Sequence, residues 1–280
     1  MTKKYTITCS GNIVDLEIPK VMGILNLTPD SFYDGGKNNK IHTSLNQTEK
    51  MLSEGADFID IGGMSSRPGS EIIHLEEERK RIIPTLEAIL KEFPNTLISI
   101  DTFRSELASE TIQTGACMIN DISGGDQDSN MYETVASLGC PYILMHMRGT
   151  AETMQSKTDY DNVTIDVIQE LSIKIGKLKS LHVHDIIIDP GFGFSKTISQ
   201  NYQLLNELNI MSQIIDLPII AGISRKSMIC KLLDINAKES LNGTSALNLQ
   251  ALQNGSKILR VHDVKEAKEI VQLFLALNNK

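Results

Sequence analysis

Ile186-Ile187-Ile188-Asp189-Pro190-Gly191-Phe192-Gly193-Phe194 is the stretch that decides the predicted fold. Three consecutive β-branched residues are typical of a strand buried on both faces, as strands are in a parallel sheet. A carboxylate, a proline and two glycines follow at once, and they indicate a tight loop. In α/β enzymes, polar substrates bind at the carboxyl ends of such strands. The stretch alone fits a helix-capping aspartate equally well, so the prediction depends on the rest of the chain.

The same pattern of an apolar strand, a polar strand end and a helix recurs along the chain. Predicted strands lie at 21–26, 57–61, 97–101, 118–121, 142–146, 186–188, 218–222 and 258–262, and predicted helices include about 45–54, 75–93, 163–178 and a final helix through 277. Eight strand–helix repeats in 280 residues favour an α/β fold, a closed (β/α)8 TIM barrel. No G-x-G-x-x-G turn follows the first strand, which disfavours an open doubly wound sheet. We expect one domain, residues 1–280, with a short N-terminal β-hairpin that turns at Ser10-Gly11-Asn12.

Composition disfavours several classes of protein. The net charge of −8 argues against a nucleic-acid surface, although a local basic pocket could still bind an anion. The four cysteines are dispersed, so free buried thiols are expected and not disulfides or a thiolate metal site. No stretch is long enough to span a bilayer, and the charged run at 76–81 is expected to be a solvated helix face. We expect a cytoplasmic protein that binds neither nucleic acid nor membrane.

In a barrel of this kind, the carboxyl ends of the strands meet at one mouth. The polar residues delivered there are Asn26, Asp60, Ser66, Arg67, Asp101, Asn120, His146, Asp189, Lys226, Arg260 and His262. Asp101, Asn120 and Asp189 suit a neutral heterocycle, because a carboxylate can accept two parallel N–H bonds. Ser66, Arg67, Arg260 and His262 suit a phosphate. This fold usually binds phosphate in the loops after its last two strands, where Arg260 and His262 lie. The sequence therefore predicts a substrate with a ring at one end and a phosphate at the other.

Several of these residues have a structural interpretation that the sequence leaves open. Asp60 and Asp101 could belong to a buried hydrogen-bond network on the barrel floor. Lys226 could be a solvated lysine at a helix start, although a cation there opposes the helix dipole. Arg67 could lie in an ordinary surface turn. His146 is expected to be a hydrogen-bonded histidine and not a metal ligand, because no second ligand lies at the usual spacing.

Eight segments, in order, resemble the dihydropteroate synthase family, the folate-pathway enzymes that sulfonamides target. They are MGILNLTPDSF (22–32), SSRPG (65–69), IDT (100–102), NDISGG (120–125), MHMRGT (145–150), DPGFGF (189–194), SRKS (224–227) and RVHD (260–263). The resemblance extends over nearly everything from Val21 to Val264. Departures from the commoner family pattern occur at Met64, Ser66, Ser195 and Ile223. Of these, Ser195 and Ile223 could change the shape of the pocket.

The resemblance implies an activity and a cofactor. Members join (7,8-dihydropterin-6-yl)methyl diphosphate to p-aminobenzoate and release pyrophosphate, with Mg²⁺. The implied metal residue is Asn26, which the family associates with Mg²⁺ and diphosphate. Homodimers are the implied assembly, and small molecules are the implied partners.

The resemblance also implies roles for individual residues. The pterin contacts are Asp101, Asn120, Asp189 and Lys226, and Phe194 belongs to the same substrate-binding set. The diphosphate contacts are Ser66, Arg67, Arg260 and His262. Phe32 and Pro68 lie on two mobile loops that close over the second substrate, and Ser227 lies near the aminobenzoate carboxylate. Lys226, Asp101, Arg260 and His262 are the candidate catalytic residues.

Two other functions remain possible at this point. A methyltetrahydrofolate:corrinoid methyltransferase would have the same fold and pterin contacts, but it has no use for a diphosphate site. A non-catalytic pterin-binding paralogue would be expected to lack loop residues such as Arg67 or Phe32, and both are present. The sequence also offers no nucleophile–base pair, which fits an aromatic amine that is already nucleophilic. The synthase is therefore the favoured function.

Overall fold

Eight parallel strands form the central sheet in a computed structural model, which describes residues 4–27, 37–64 and 72–279. Strands β1 (Thr6–Cys9) and β2 (Asn12–Asp15) form a separate antiparallel hairpin, and the barrel strands are β3 (Lys20–Asn26), β4 (Phe58–Gly62), β5 (Ile98–Asp101), β6 (Met118–Asp121), β7 (Tyr142–Met145), β8 (Ile186–Asp189), β9 (Ile220–Ala221) and β10 (Ile258–Val261). The order in the sheet is β8-β7-β6-β5-β4-β3-β10-β9. A parallel bridge between Ile188 and Ile219 joins the two remaining edges, which confirms the predicted (β/α)8 barrel and its N-terminal hairpin.

Helices follow each barrel strand and cover the outside of the sheet. They are α1 (Lys37–Ser53), α2 (Leu75–Glu92), α3 (Ser105–Thr114), α4 (Met131–Leu138), α5 (Val163–Ser180), α6 (Ile198–Asn206), α7 (Leu208–Ile214), α8 (Ser227–Leu233), α9 (Leu241–Gln253) and α10 (Val264–Leu277). Two predicted bounds were wrong, because α1 begins at Lys37 and not near Leu45, and β9 is two residues long. None of the helices in the described ranges is long and apolar enough to cross a membrane.

Apolar packing closes the amino end of the barrel. The first residues of three strands, Phe58, Met118 and Ile258, point inward and pack with Ile7 and other hairpin residues in one buried cluster. A larger cluster lies between the sheet and the helices, as expected when strands are buried on both faces. The carboxyl end of the barrel is therefore the end where polar side chains gather.

The prediction that the charged run at 76–81 is a solvated helix face is wrong at one residue. Glu78 is fully buried, whereas Glu76 and Glu77 are exposed. Its Oε2 atom accepts a hydrogen bond from Arg104, the residue that precedes α3. Glu78 lies one turn before the buried Ile82, on the face of α2 that packs on the barrel. An ion pair with another element thus allows a carboxylate on the face of α2 that periodicity assigns to the core.

The four cysteines agree with the prediction from composition. All four are free, with Cys9, Cys117 and Cys140 buried and Cys230 partly exposed. Burial raises the pKa of the Cys140 thiol to about 12, so the thiol is uncharged and packs as a small apolar side chain.

Candidate active site

Strand register brings the predicted site residues to one level at the carboxyl end of the barrel. Asn26 pairs with Gly62, Gly62 with Asp101, and Asp101 with Asn120, so these positions lie side by side across four strands. Asp189 ends β8 and pairs with Met145 of β7. Phe32, Ser66, Arg67 and Pro68 lie outside the described residues, so nothing in the structure locates them.

Arg260 is held between two carboxylates. Its Nε donates to Asp60 Oδ2 at 2.7 Å, and its Nη2 donates to Asp101 Oδ2 at 2.9 Å. Asp60 is fully buried and also accepts a hydrogen bond from Asn120 Nδ2 at 3.0 Å. Arg260 therefore links β10 to β4 and β5, and Asp60 belongs to the floor network that the sequence left open.

The environment of Asp101 acts on its pKa in opposite directions. Burial raises the pKa of this carboxyl to about 7; the Arg260 charge opposes the rise, and the Asp60 charge adds to it. The ion pair with Arg260 favours the carboxylate, which can accept further hydrogen bonds. A heterocycle with N–H groups matches such a partner.

Asp189 and Lys226 lie on either side of Gly222. A Cβ atom on Gly222 would lie 3.8 Å from Lys226 Nζ and 3.9 Å from Asp189 Oδ2, so both groups lie within van der Waals contact of one point. Asp189 is buried, and its Oδ1 accepts from Gly191 N at 2.8 Å. Burial raises the pKa of Asp189, and the nearby Lys226 charge partly offsets that rise.

Lys226 rests on the loop that follows β8. Its Nζ donates to Phe192 O and lies 4.6 Å from the centre of the Phe194 ring, within cation–π range. Burial lowers the pKa of Lys226 to about 8, and the Asp189 carboxylate acts in the opposite direction. The alternative of a freely solvated lysine is thereby excluded.

His262 is oriented by Ser224, a residue for which the sequence predicts no role. Ser224 Oγ lies 3.1 Å from His262 Nδ1 and also accepts from the His262 backbone N–H at 3.2 Å. Ser227, predicted near the aminobenzoate carboxylate, is the exposed first residue of α8. The sequence segment that contains Ser224 matched the family, but its hydroxyl could be linked to His262 only after folding.

A second polar network, missed by sequence reasoning, lies behind the β8 loop. His146 is buried; Lys196 Nζ lies 3.0 Å from its Nδ1, and Glu170 Oε2 lies 2.9 Å from its Nε2. A lysine ammonium can only donate, so Nδ1 accepts and Nε2 has the hydrogen that is shared with Glu170. The prediction of a hydrogen-bonded histidine is confirmed. Neither a motif nor a hydrophobic period in the sequence predicted a role for Lys196.

Ser195, one of the departures from the family pattern, joins two loops of the mouth. It is fully buried with a φ of 45°, a conformation that glycine adopts more easily. Its Oγ accepts from Arg148 N at 3.0 Å, which ties the β8 loop to the β7 loop. Ile223, the other departure, is also fully buried.

We expect His146 to make the fold acid-sensitive. Burial lowers the pKa of His146 to about 4, with the Lys196 charge acting in the same direction. Because the unfolded histidine binds its proton near pH 6.5, stability is fully present above pH 6.5 and is lost as the pH falls towards 4. The difference corresponds to about 3 kcal/mol. His146→Gln keeps one donor and one acceptor without titrating, and urea unfolding at pH 7 and pH 4.5 measures the loss.

The control for this prediction is His184→Gln, which removes an exposed histidine. If His146→Gln loses as much stability between the two pH values as the parent protein, His146 is not the responsible group.

The chain is similar to known proteins over most of its length. A family model described as pterin binding enzyme matches residues 22–262. The chain is 41% identical to the dihydropteroate synthase of Haemophilus influenzae over 96% of this chain and 98% of that protein. It is 44% identical to the folic acid synthesis protein fol1 of Pneumocystis carinii over 90% of this chain, and it spans 35% of that longer protein.

Solved structures give the same result. The dihydropteroate synthase of Xanthomonas albilineans, solved with 4-aminobenzoic acid, superposes with a TM-score of 0.92 at 35% identity, over 99% of this chain and 100% of that chain. The same enzyme solved with 7,8-dihydropteroate gives a TM-score of 0.88 at 33% identity, again over 99% and 100%.

Proposed function

This chain belongs to the dihydropteroate synthase family of pterin-binding enzymes, and from that premise we propose that it makes 7,8-dihydropteroate. The substrates are (7,8-dihydropterin-6-yl)methyl diphosphate and p-aminobenzoate, and pyrophosphate is released. The observation that supports this most directly is the gathering of Asp101, Asn120 and Asp189 around Lys226 and Arg260 at the barrel mouth. These groups offer a flat ring several acceptors, an amide and two cations in one pocket.

The proposed reaction is a displacement at the methylene carbon. The carbon–oxygen bond breaks, its electron pair leaves with the diphosphate, and the amine nitrogen of p-aminobenzoate forms the new bond and loses a proton. The electron-rich ring can delocalise positive charge on that carbon, so the bond can ionise before attack. Catalysis then consists of stabilising charge on the leaving group and keeping water away.

The described residues divide these tasks. Asp101, Asn120 and Asp189 would bind and orient the ring. The Lys226 ammonium, which lies over the Phe194 side chain, would lie beside the bound ring. The diphosphate would lie towards His262 and Arg260, whose two contacts to carboxylates do not use Nη1. The Asp60 contact keeps the guanidinium plane fixed, so little reorganisation is needed when charge develops.

Mg²⁺ remains a proposal. Asn26 would hold the ion. Its Oδ1 atom and the Oδ2 atom of Asp101 both lie within 4 Å of a Cβ position on Gly62, so the two oxygens are at the same level of the barrel. Among the described residues, no group of three His, Cys, Asp or Glu side chains could hold a metal. This fits Mg²⁺, which usually keeps several waters and binds through one or two protein oxygens and substrate phosphates. When bound, it would neutralise charge on the departing diphosphate. A homodimer and a cytoplasmic location also remain predictions.

Pyrophosphate release tests the proposed function. Purified protein with Mg²⁺ and the dihydropterin diphosphate is assayed with and without p-aminobenzoate, and the organic product is identified by mass. Release that depends on p-aminobenzoate, with formation of dihydropteroate, supports the synthase. Pterin binding by calorimetry without any release would instead favour the methyltransferase or the non-catalytic paralogue.

A further inference from the structure

Lys196 is a buried lysine to which the reaction described above gives no task. Its side chain is 5% exposed, and Nζ has three partners: His146 Nδ1 at 3.0 Å, Gly191 O at 3.1 Å and Phe194 O at 3.1 Å. These partners equal the number of hydrogens on an ammonium group. None of the three is a carboxylate, so the ammonium form has no direct counter-ion; burying it is costly, which indicates that the group serves a purpose.

The position of the two carbonyl partners suggests that purpose. Gly191 O and Phe194 O are the ends of a four-residue segment, and Lys196 connects both ends to one point. Lys226 contacts the same segment: its Nζ donates to Phe192 O, and its ammonium faces the Phe194 ring. A Cβ atom on Gly193 would lie 3.2 Å from Lys226 Cδ, so the Lys226 side chain packs closely on the loop.

The loop conformation needs such support. Gly191 has a φ of 71°, and a Cβ atom there would lie 1.9 Å from His146 O, so the loop presses directly on the end of β7. Ser195 also has positive φ. The loop ends at Thr197, which forms a capping box with Gln200 at the start of α6. Lys196 is thus the buried group that spans a tightly bent segment between β8 and α6.

We propose that Lys196 is a positioning residue for the reaction: its ammonium fixes residues 191–194, and that segment holds the Lys226 ammonium beside Asp189. This inference rests on the proposed function, because the expected effect of Lys196 is on binding of the pterin substrate. Burial lowers the pKa of Lys196 to about 7, with the nearby Asp189 charge acting against the shift and the Lys226 charge acting with it. The two lysines and Asp189 therefore influence one another electrostatically as well as through the loop.

The alternative is that Lys196 only stabilises the fold. Both explanations predict that Lys196→Met lowers the melting temperature, because three acceptors lose a donor. Only the positioning role predicts that the effect on ligand binding depends on Lys226. A double-mutant cycle between positions 196 and 226 separates the two, since residues that act through one another give non-additive effects.

The experiment measures the dissociation constant of the dihydropterin diphosphate by calorimetry for four proteins: the parent, Lys196→Met, Lys226→Ala and the double variant. We expect Lys196→Met to weaken binding about 10-fold in the parent and by less than about 2-fold in the Lys226→Ala background. Equal effects in both backgrounds, or no effect in the parent, would overturn the proposal. Lys268→Met is the matched control, because Lys268 Nζ binds Asp57 at 3.1 Å at the opposite end of the barrel.

If Lys196→Met does not fold, Lys196→Gln replaces it in the same cycle. Glutamine fills similar space and keeps an N–H donor without a charge, and circular dichroism verifies the fold first. The turnover assay of the parent protein separates the two proposals. A parent protein that binds the pterin but releases no pyrophosphate would refute the synthase while the cycle still decides the role of Lys196.

Discussion

Replacing Lys226 with alanine is expected to lower turnover by about 100-fold to 1,000-fold while the barrel stays folded. The ammonium lies 4.6 Å from the centre of the Phe194 ring and near Asp189 at the barrel mouth, where we expect it to contact a bound ring. It makes no contact that joins two barrel strands, so its loss should leave the fold intact. Steady-state pyrophosphate release with both substrates varied gives kcat and KM for each.

Lys231→Ala is the matched control, because Lys231 is an exposed lysine in α8, the helix that begins directly after Lys226. Asp189→Asn tests the other side of the pair, and we expect a comparable loss of turnover. Variants of Lys226 and Asp189 that both work within about threefold of the parent would contradict the assignment of the site.

Replacing Arg260 with methionine is expected to destabilise the fold and abolish turnover together. Asp60 and Asp101 would then remain near one another in the barrel without their counter-ion. Breaking a buried ion pair in this way costs about 3 to 5 kcal/mol. Without Arg260, the pKa of Asp101 should rise further, because the Arg260 charge opposes the rise that burial causes, and the neutral carboxyl would be favoured. Urea unfolding and the turnover assay measure the two effects.

A second substitution shows whether the unpaired carboxylates cause the loss of stability. Arg260→Met combined with Asp60→Asn removes one carboxylate charge as well as the cation, and it should recover part of the stability but none of the turnover. Arg79→Met is the surface comparison. Arg79 binds Glu76 and Glu106, which are largely exposed, and Glu110, which is partly exposed, so its loss should have a much smaller effect. Equal losses for Arg260→Met and Arg79→Met would refute this account.

Strand-end residues could be predicted because parallel strands place their carboxyl ends together. Asp101, Asn120 and Asp189 each end or nearly end an apolar run, and the structure brings all three to one mouth. That they contact the pterin stays a prediction. Four other candidates, Phe32, Ser66, Arg67 and Pro68, lie outside the described residues, so their roles stay predictions as well.

The partners of these residues could not be predicted. Arg260 was assigned to the diphosphate, yet its contacts are Asp60 and Asp101, which lie 200 and 159 positions earlier in the chain. Glu78 was assigned to solvent because the neighbouring charges are exposed, but Arg104 pairs with it in a buried place. Local pattern indicates which side of an element a residue occupies, and it contains no information on which distant charge will lie opposite.

The sequence by itself determined the barrel, the order of its strands along the chain and the strand-end residues Asp101, Asn120 and Asp189 that reach the mouth. It could do so because apolar period, strand ends and turn residues are local properties. Only the tertiary structure decided how Lys196, His146 and the loop at 191–194 meet behind Lys226. Those contacts join separate elements, and their strength comes from burial, which exists only once the chain has closed around them.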